Sequence, residues 1–159
     1  MTETTTSLQA PHVLEYPYTR SVGPVIGRFL EGLRDGRIEG IRTSAGKVIV
    51  PPTGYDPETG ADLTEFVEVG TSGVVTTWSW QPEPRKNNPL DKPFAWALIQ
   101  LDGADTGLLH AVDAESPEKI SVGTRVKVRW REERVGHIND IECFEISDGL
   151  DHRVEQEDD

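Results

Sequence analysis

The stretch that decides the fold runs from Gly40 to Leu63, "GIRTSAGKVIVPPTGYDPETGADL". It is punctuated like a pair of zinc knuckles: two tight turns, each closed by a glycine, with a Pro-Pro step between them. A structural zinc site needs four Cys, His or carboxylate ligands, usually as two close pairs. These turns offer Thr43, Ser44, Ala45 and Gly46, then Asp56, Pro57, Glu58 and Thr59. Asp56 and Glu58 are single oxygen ligands, and no tetrahedral cage can be assembled from this set. The segment therefore reads as β-turns with Asp-Pro and Thr-Gly signals, holding a hairpin pair by local contacts. No metal and no other cofactor is expected.

On the N-terminal side, Val22, Val25, Ile26, Phe29, Leu30 and Leu33 recur at i, i+3, i+4, i+7, i+8 and i+11. That spacing predicts one apolar face of a helix over residues 22–35. Ser21 is the expected N-cap, Pro24 fits inside the first turn, and Gly36 is the expected stop. Gly23, Gly27 and Gly32 each cost up to about 1 kcal/mol against alanine. The helix must therefore pack its apolar face on something, either this domain or another protein.

On the C-terminal side the pattern changes to period two and short apolar runs. "RIEGIR" and "KVIVPP" predict a hairpin closed by "TSAG". "LTEFVEVG", "GVVTTWSWQP", "FAWALIQLD", "GLLHAVD", "TRVKVRWRE" and "NDIECFEI" follow as short strands split by Gly, Pro, Asp and Asn. This is the rhythm of a small Greek-key barrel, of which the OB-fold is the commonest design. The one long connection, residues 81–93, is rich in proline and polar residues, as functional loops often are. The expected fold class is mainly β: an N-terminal helix, a degenerate, metal-free rubredoxin-like ribbon and a C-terminal OB-fold β-barrel. The expected divisions are a flexible N-terminus (1–17), the helix (18–36), ribbon hairpins (37–63), the OB-fold (64–147) and a disordered acidic tail (148–159).

The formal net charge is −12. Six acids and one arginine in residues 148–159 account for −5 of it. A duplex-binding protein shows the opposite balance, because its affinity comes from neutralising phosphates, so nucleic acid is disfavoured as a partner. The longest uninterrupted apolar run is "FAWALI", residues 94–99, far short of the ~20 residues of a membrane span. The single cysteine, Cys143, cannot form an internal disulfide. The expected setting is reducing and cytoplasmic.

No catalytic constellation emerges. His12 and His152 fall in the tails, His137 in a turn, and His110 in a strand where it reads as a core histidine. Cys143 reads as a small buried hydrophobe. Nucleophile elbow, phosphate loop and H-E-x-x-H are all absent from the sequence. A self-contained enzyme is not expected.

Two surfaces stand out instead. Val74, Thr76, Trp78 and Trp80 are expected on one strand face; so are Phe94, Trp96 and Leu98, with Ala95, Ala97, Ile99 and Leu101 opposite them. Two readings stand for these aromatics: barrel core, or a docking surface, since Trp anchors are enriched in interface hot spots. The partner-binding set on the second reading is Val22, Val25, Ile26, Phe29, Leu30, Leu33, Trp78, Trp80, Phe94 and Trp96. In "TRVKVRWRE", period two places Arg125, Lys127, Arg129 and Arg131 on one face. This stripe reads as a solvated strand face or as a site for an anion, an acidic partner or a nucleic-acid single strand.

Taken together, the helix ending in "GLRDGRIEGIR", the "VIVPP" strand and the Gly60 turn resemble a known family. So do the downstream "LTEFVEVGTSGVVTTWSW", "PFAWALIQLDG", "LLHAV" and "VGTRVKVRW". It is the zinc-ribbon and OB-fold proteins associated with acyl-CoA enzymes, catalogued as domain of unknown function thirty-five. Order and spacing agree over residues 18–146. The departure is the metal: Thr43, Asp56 and Thr59 stand at positions where that family carries ligand cysteines. The resemblance implies a non-catalytic accessory subunit of a thiolase-superfamily enzyme, either a lipid-transfer-protein-like aldolase or a thiolase. It also implies an acyl-CoA substrate for the complex. The cysteine-free form resembles members that serve steroid side-chain degradation in actinobacteria. It further implies a CoA-binding reading for the basic stripe. A stand-alone acyl-CoA-binding module and a single-stranded nucleic-acid-binding OB-fold remain as alternatives. The subunit reading predicts an isolated chain of marginal stability that a partner rescues.

Overall fold

The computed structural model describes residues 9–147; residues 1–8 and the acidic tail at 148–159 lie outside the described residues. Residues 9–22 carry no regular secondary structure and run exposed into helix α1, Gly23–Arg34. Val22 is the N-cap and makes no side-chain capping bond. Ser21, the expected cap, accepts a hydrogen bond from the Gly23 amide at 3.3 Å. The C-terminus closes as the glycine stop requires. Gly36 adopts φ +77°, its amide reaches the Leu33 carbonyl at 3.0 Å, and the Arg37 amide reaches Gly32 at 2.9 Å. Arg134, from the far side of the chain, donates from Nε to the Arg34 carbonyl at 2.9 Å and ties the helix end to the barrel.

Strands β1 (Ile38–Arg42) and β2 (Val48–Ile49) form the expected antiparallel hairpin, with Ile41 opposite Ile49. Gly40 is required between them, because a Cβ there would lie 2.7 Å from the Ile49 carbonyl oxygen. The "LTEFVEVG" segment supplies β3 (Phe66–Val69), which pairs with β1. It thus belongs to a three-stranded ribbon sheet, ordered β2-β1-β3, rather than to the barrel.

The barrel is β4 (Ser72–Gln81), β5 (Phe94–Leu101), β6 (Gly107–Asp113), β7 (Arg125–Trp130) and β8 (Ile141–Ile146). It closes in the order β4-β5-β6-β8-β7, with β4 also paired to β7. The β6–β8 pairing is parallel and the others are antiparallel. This is a five-stranded Greek-key OB-type barrel. Val75, Ala95, Ala97, Ile99, Leu101, Val112, Val126 and Phe144 fill its interior.

One register change alters the reading of β4. A bulge between Val75 and Thr77 inserts one extra residue, and the alternation of faces switches there. Trp78 and Trp80 then pair with Ala97 and Ala95, two inward residues whose small side chains leave room for the indoles. Both tryptophans pack against the barrel core and do not share a face with Val74 and Thr76.

Ribbon and barrel form one packed unit. The Val48 amide donates to the Asp105 carboxylate at 2.7 Å. The Val50 amide donates to Thr106 Oγ1 at 2.8 Å, and that hydroxyl donates back to the Val50 carbonyl at 3.0 Å. Phe29 and Leu33 of the helix belong to the same buried cluster as the ribbon and barrel residues.

Candidate functional site

The two knuckle turns are joined by a carboxylate in place of a cation. Asp56 is buried. Its Oδ2 accepts hydrogen bonds from the Ser44 amide at 2.9 Å and the Ser44 hydroxyl at 2.5 Å. Its Oδ1 accepts from the Glu58 amide at 2.9 Å and the Thr59 amide at 3.3 Å. One side chain therefore satisfies donors of both turns. The Ser44 donors, followed by the turn amides, hold the Asp56 carboxyl down at about 2. Thr43 contributes locally: its hydroxyl accepts from the Lys47 amide at 3.2 Å. The Thr59 side chain accepts from the Ala61 amide at 3.3 Å. Thr43, Asp56 and Thr59 thus all act as hydrogen-bonding groups of the two turns, with Asp56 bridging them.

An open apolar groove of about 570 Å³ lies between the flanks of the second turn and the start of the helix. Val22, Pro24, Val25 and Ile26 form one wall; Gly54, Tyr55, Leu63 and Phe66 contribute to the rest. Arg28 braces the floor. It donates to Glu39 at 2.8 and 3.1 Å while its guanidinium lies 4.1 Å from the centre of the Phe66 ring. Glu39 is buried, and the Arg28 guanidinium holds its carboxyl below the usual carboxylate range. Large apolar side chains cluster in the sequence leading to this groove. Val13, Leu14, Tyr16 and Tyr18 are 66 to 82% exposed, and Tyr55 on the rim is 66% exposed.

The residues proposed from sequence for partner binding divide here. Val22, Val25 and Ile26 line the groove. Leu30 is half-buried, and Phe29 and Leu33 are sealed in the protein's own core. Trp78 and Trp80 face inward, as the bulge dictates. Phe94 is fully buried in a second cluster with Leu90, Ala111 and Cys143, and Trp96 packs edge-on against it with centroids 5.1 Å apart. Leu90 belongs to the 81–93 loop, so the second apolar face of β5 is covered in part by the chain itself. Of the residues expected at a docking surface, those left uncovered lie at the helix start, beside the second turn.

The basic stripe is engaged within the molecule. Arg125 forms a two-pronged pair with Asp102, both contacts at 2.7 Å. Lys127 pairs with Glu145 at 3.3 Å. Arg129 reaches Glu142 at 2.6 Å and Asp113 at 3.1 Å. Arg131 has no carboxylate partner among the described residues and donates from Nε to the Asn139 carbonyl at 2.7 Å. A strand face neutralised in this way lacks the free positive charge that tracks a nucleic-acid backbone.

The remaining titratable groups act as structural parts. His110 is buried, 5.7 Å from Phe144 centre to centre, and its Nδ1 accepts from the Ala111 amide at 2.9 Å. Burial lowers its basicity, so charging it opposes folding as the pH falls below its ordinary value of 6.5. Asp140 accepts from the amides of Val135, Gly136 and His137 at 3.0, 2.7 and 3.0 Å and shapes the turn that packs on the helix. Cys143 is fully buried, and burial pushes its thiol up to about 11. The folded protein is expected to leave this thiol unreacted with a disulfide reagent near about pH 8 and to expose one thiol in denaturant. Prompt labelling under native conditions would overturn that placement. The helix-to-ribbon brace Arg28–Glu39–Phe66 and the Asp140 turn were not foreseen from sequence. A glutamate inside the apolar "RIEGIR" strand was the available sign, since a buried acid demands a partner.

The family described as ChsH2, C-terminal OB-fold domain, matches residues 66–131. No curated protein matches the sequence. Two solved structures share the fold. One is a DUF35-family protein of unknown function from Sulfolobus solfataricus, with TM-score 0.59, 22% identity, and coverage of 79% of this chain and 85% of that one. The other is a chain of the Ltp2-ChsH2(DUF35) aldolase, with TM-score 0.59, 22% identity, and coverage of 80% of this chain and 98% of that one. No helix among the described residues is long and apolar enough to cross a membrane. A helix packed on a ribbon sheet and followed by a closed five-stranded barrel is thus a fold shared with these DUF35 structures, and residues 66–131 match the model of the ChsH2 C-terminal OB-fold domain.

Proposed function

We propose that this chain is a non-catalytic accessory subunit of a thiolase-superfamily enzyme, an aldolase or thiolase acting on acyl-CoA, in steroid side-chain degradation. The observation that carries the reading is the uncovered apolar groove at the helix start, rimmed by Tyr55 and continuous in sequence with the exposed Val13–Tyr18 segment. Contiguous exposed apolar surface of this kind is the mark of an interface. The fold shared with a chain of the Ltp2-ChsH2(DUF35) aldolase supports an enzyme as the occupant. The lack of a catalytic constellation in the sequence supports a partner that carries the reacting groups. In this reading the chain contributes stability and geometry to the complex.

Co-expression with the thiolase-superfamily enzymes of the same genome, followed by affinity purification and size-exclusion chromatography, tests the reading. One such enzyme is expected to co-elute in fixed stoichiometry and to raise the melting temperature of the chain. Ile26→Asp, which places a charge in the groove wall, is expected to weaken that association about tenfold to a hundredfold without unfolding the barrel. Separate elution of every such enzyme would remove the proposal.

A further inference from the structure

We propose that the cleft between the 81–93 loop and the β7–β8 end of the barrel binds a small phosphate-bearing anion. The inference is independent of the subunit reading and begins with a census of positive charge. Residues 72–147 contain nine lysines and arginines. Five pair with the chain's own carboxylates: Lys92, Lys119, Arg125, Lys127 and Arg129. Arg134 is spent on the carbonyls of Arg34 and Arg131. The other three, Arg85, Lys86 and Arg131, make no ion pair among the described residues, and all three line one cleft of about 450 Å³.

In a protein of net charge −12, unpaired cations gathered at one place are the exception that needs a cause. The cleft is also built to hold them. The turn that presents Arg85 and Lys86 is closed by two hydrogen bonds, Arg85 N–H to Asn88 Oδ1 at 2.7 Å and Asn88 N–H to the Arg85 carbonyl at 2.9 Å. Arg131 is fixed through Nε on the Asn139 carbonyl, which leaves its two terminal nitrogens for a ligand. Two acids share the cleft. Glu142 is already neutralised by Arg129 at 2.6 Å, and exposed Asp91 is the remaining counter-charge. Glu132 and Glu133 line the neighbouring cleft with Arg131. The cation excess suits a doubly charged group, and a guanidinium fork matches phosphate oxygens. Pro84, Pro89 and buried Leu90 add an apolar wall for an organic portion of the ligand.

The test titrates the isotope-labelled full chain with pyrophosphate, ADP, inorganic phosphate and a poly-glutamate peptide at low salt, followed by NMR. Pyrophosphate and ADP are expected to shift the amides of residues 85–88, 90, 91, 131 and 142, with binding that weakens as salt rises. Tighter binding of ADP than of pyrophosphate assigns the apolar wall to an organic group; equal binding assigns the site to phosphate alone. The triple variant Arg85→Gln, Lys86→Gln, Arg131→Gln is expected to lose affinity about tenfold or more, with its melting temperature within a few degrees of the parent. These side chains are exposed and pair with no carboxylate, so an altered circular dichroism spectrum is not expected. Three outcomes would overturn the proposal: no shift at millimolar pyrophosphate, shifts confined to the Arg125 and Lys127 face, or binding of the peptide alone.

Discussion

Leu33→Ala is expected to lower the free energy of unfolding by about 3 kcal/mol, within the range seen when a fully buried leucine is truncated. Leu33 is completely buried, one turn after Phe29, and belongs to the cluster that also holds Ile38 of the ribbon and Phe144 of the barrel. It sits in the last helical turn, where the Gly36 stop turns the chain into β1. The cavity left by truncation would therefore adjoin three elements, none of which can collapse into it without moving the others. Equilibrium unfolding in urea measures the effect: the midpoint falls while the slope is unchanged. A cost under about 1 kcal/mol would show that the helix is not part of the common core. Because Val25 and Ile26 ride on the same helix, the variant is also expected, on the proposed subunit reading, to weaken partner binding in proportion to the helix lost.

Asp56→Asn is expected to loosen both knuckle turns. One amide oxygen can still accept from Glu58 and Thr59, but the amide nitrogen then faces the Ser44 N–H, donor against donor, and the Ser44 hydroxyl must turn from donor to acceptor. Hydrogen exchange at Ser44, Glu58 and Thr59 should accelerate, and the melting temperature should fall by several degrees. The pH dependence identifies the carboxylate as the cause. The Asp56 carboxyl lies at about 2 in the folded protein against an ordinary 3.8. Its contribution is therefore complete above roughly pH 4 and is lost as the pH falls through about 2. The stability gap between parent and variant should narrow across that window. A gap that stays constant to the lowest pH would show that the charge of Asp56 is not what joins the turns. Tyr55 and Gly54 line the apolar groove beside Asp56, so on the proposed subunit reading the same variant should reduce association with the enzyme.

These two residues also show how legible the protein is in its sequence. Leu33 was identifiable because helical periodicity is a one-dimensional signal, and the glycine after it marks a stop that local backbone conformation enforces. The strands were equally visible, as was the Gly40–Leu63 pair of turns. Three features were not. The bulge at Val75/Thr77 reverses the facing of Trp78 and Trp80, and nothing in "GVVTTWSW" marks where an extra residue enters. The pairing of β3 with β1 is a choice between two sheet edges, decided by contacts far apart in the chain. The neutralisation of the Arg125–Arg129 stripe depends on carboxylates from β6, β8 and the turn after β5, which no period in β7 can reveal. Of the candidate site, the helix residues Val22, Val25 and Ile26 were legible from amphipathic spacing. The opposing wall was not, because it arises where the second turn folds back toward the helix.

The order of strands in the barrel has a consequence for synthesis. β8 is the strand that joins β6 to β7, and it follows both of them in the chain. Until Ile146 clears the exit tunnel, β6 and β7 each present an unpaired edge beside apolar side chains, a state prone to sticking to other nascent chains. The ribbon and helix are by then fully emerged and can seat on the β5–β6 turn through Asp105 and Thr106. Translation thus delivers a finished N-terminal half holding an open cup, which β8 snaps shut.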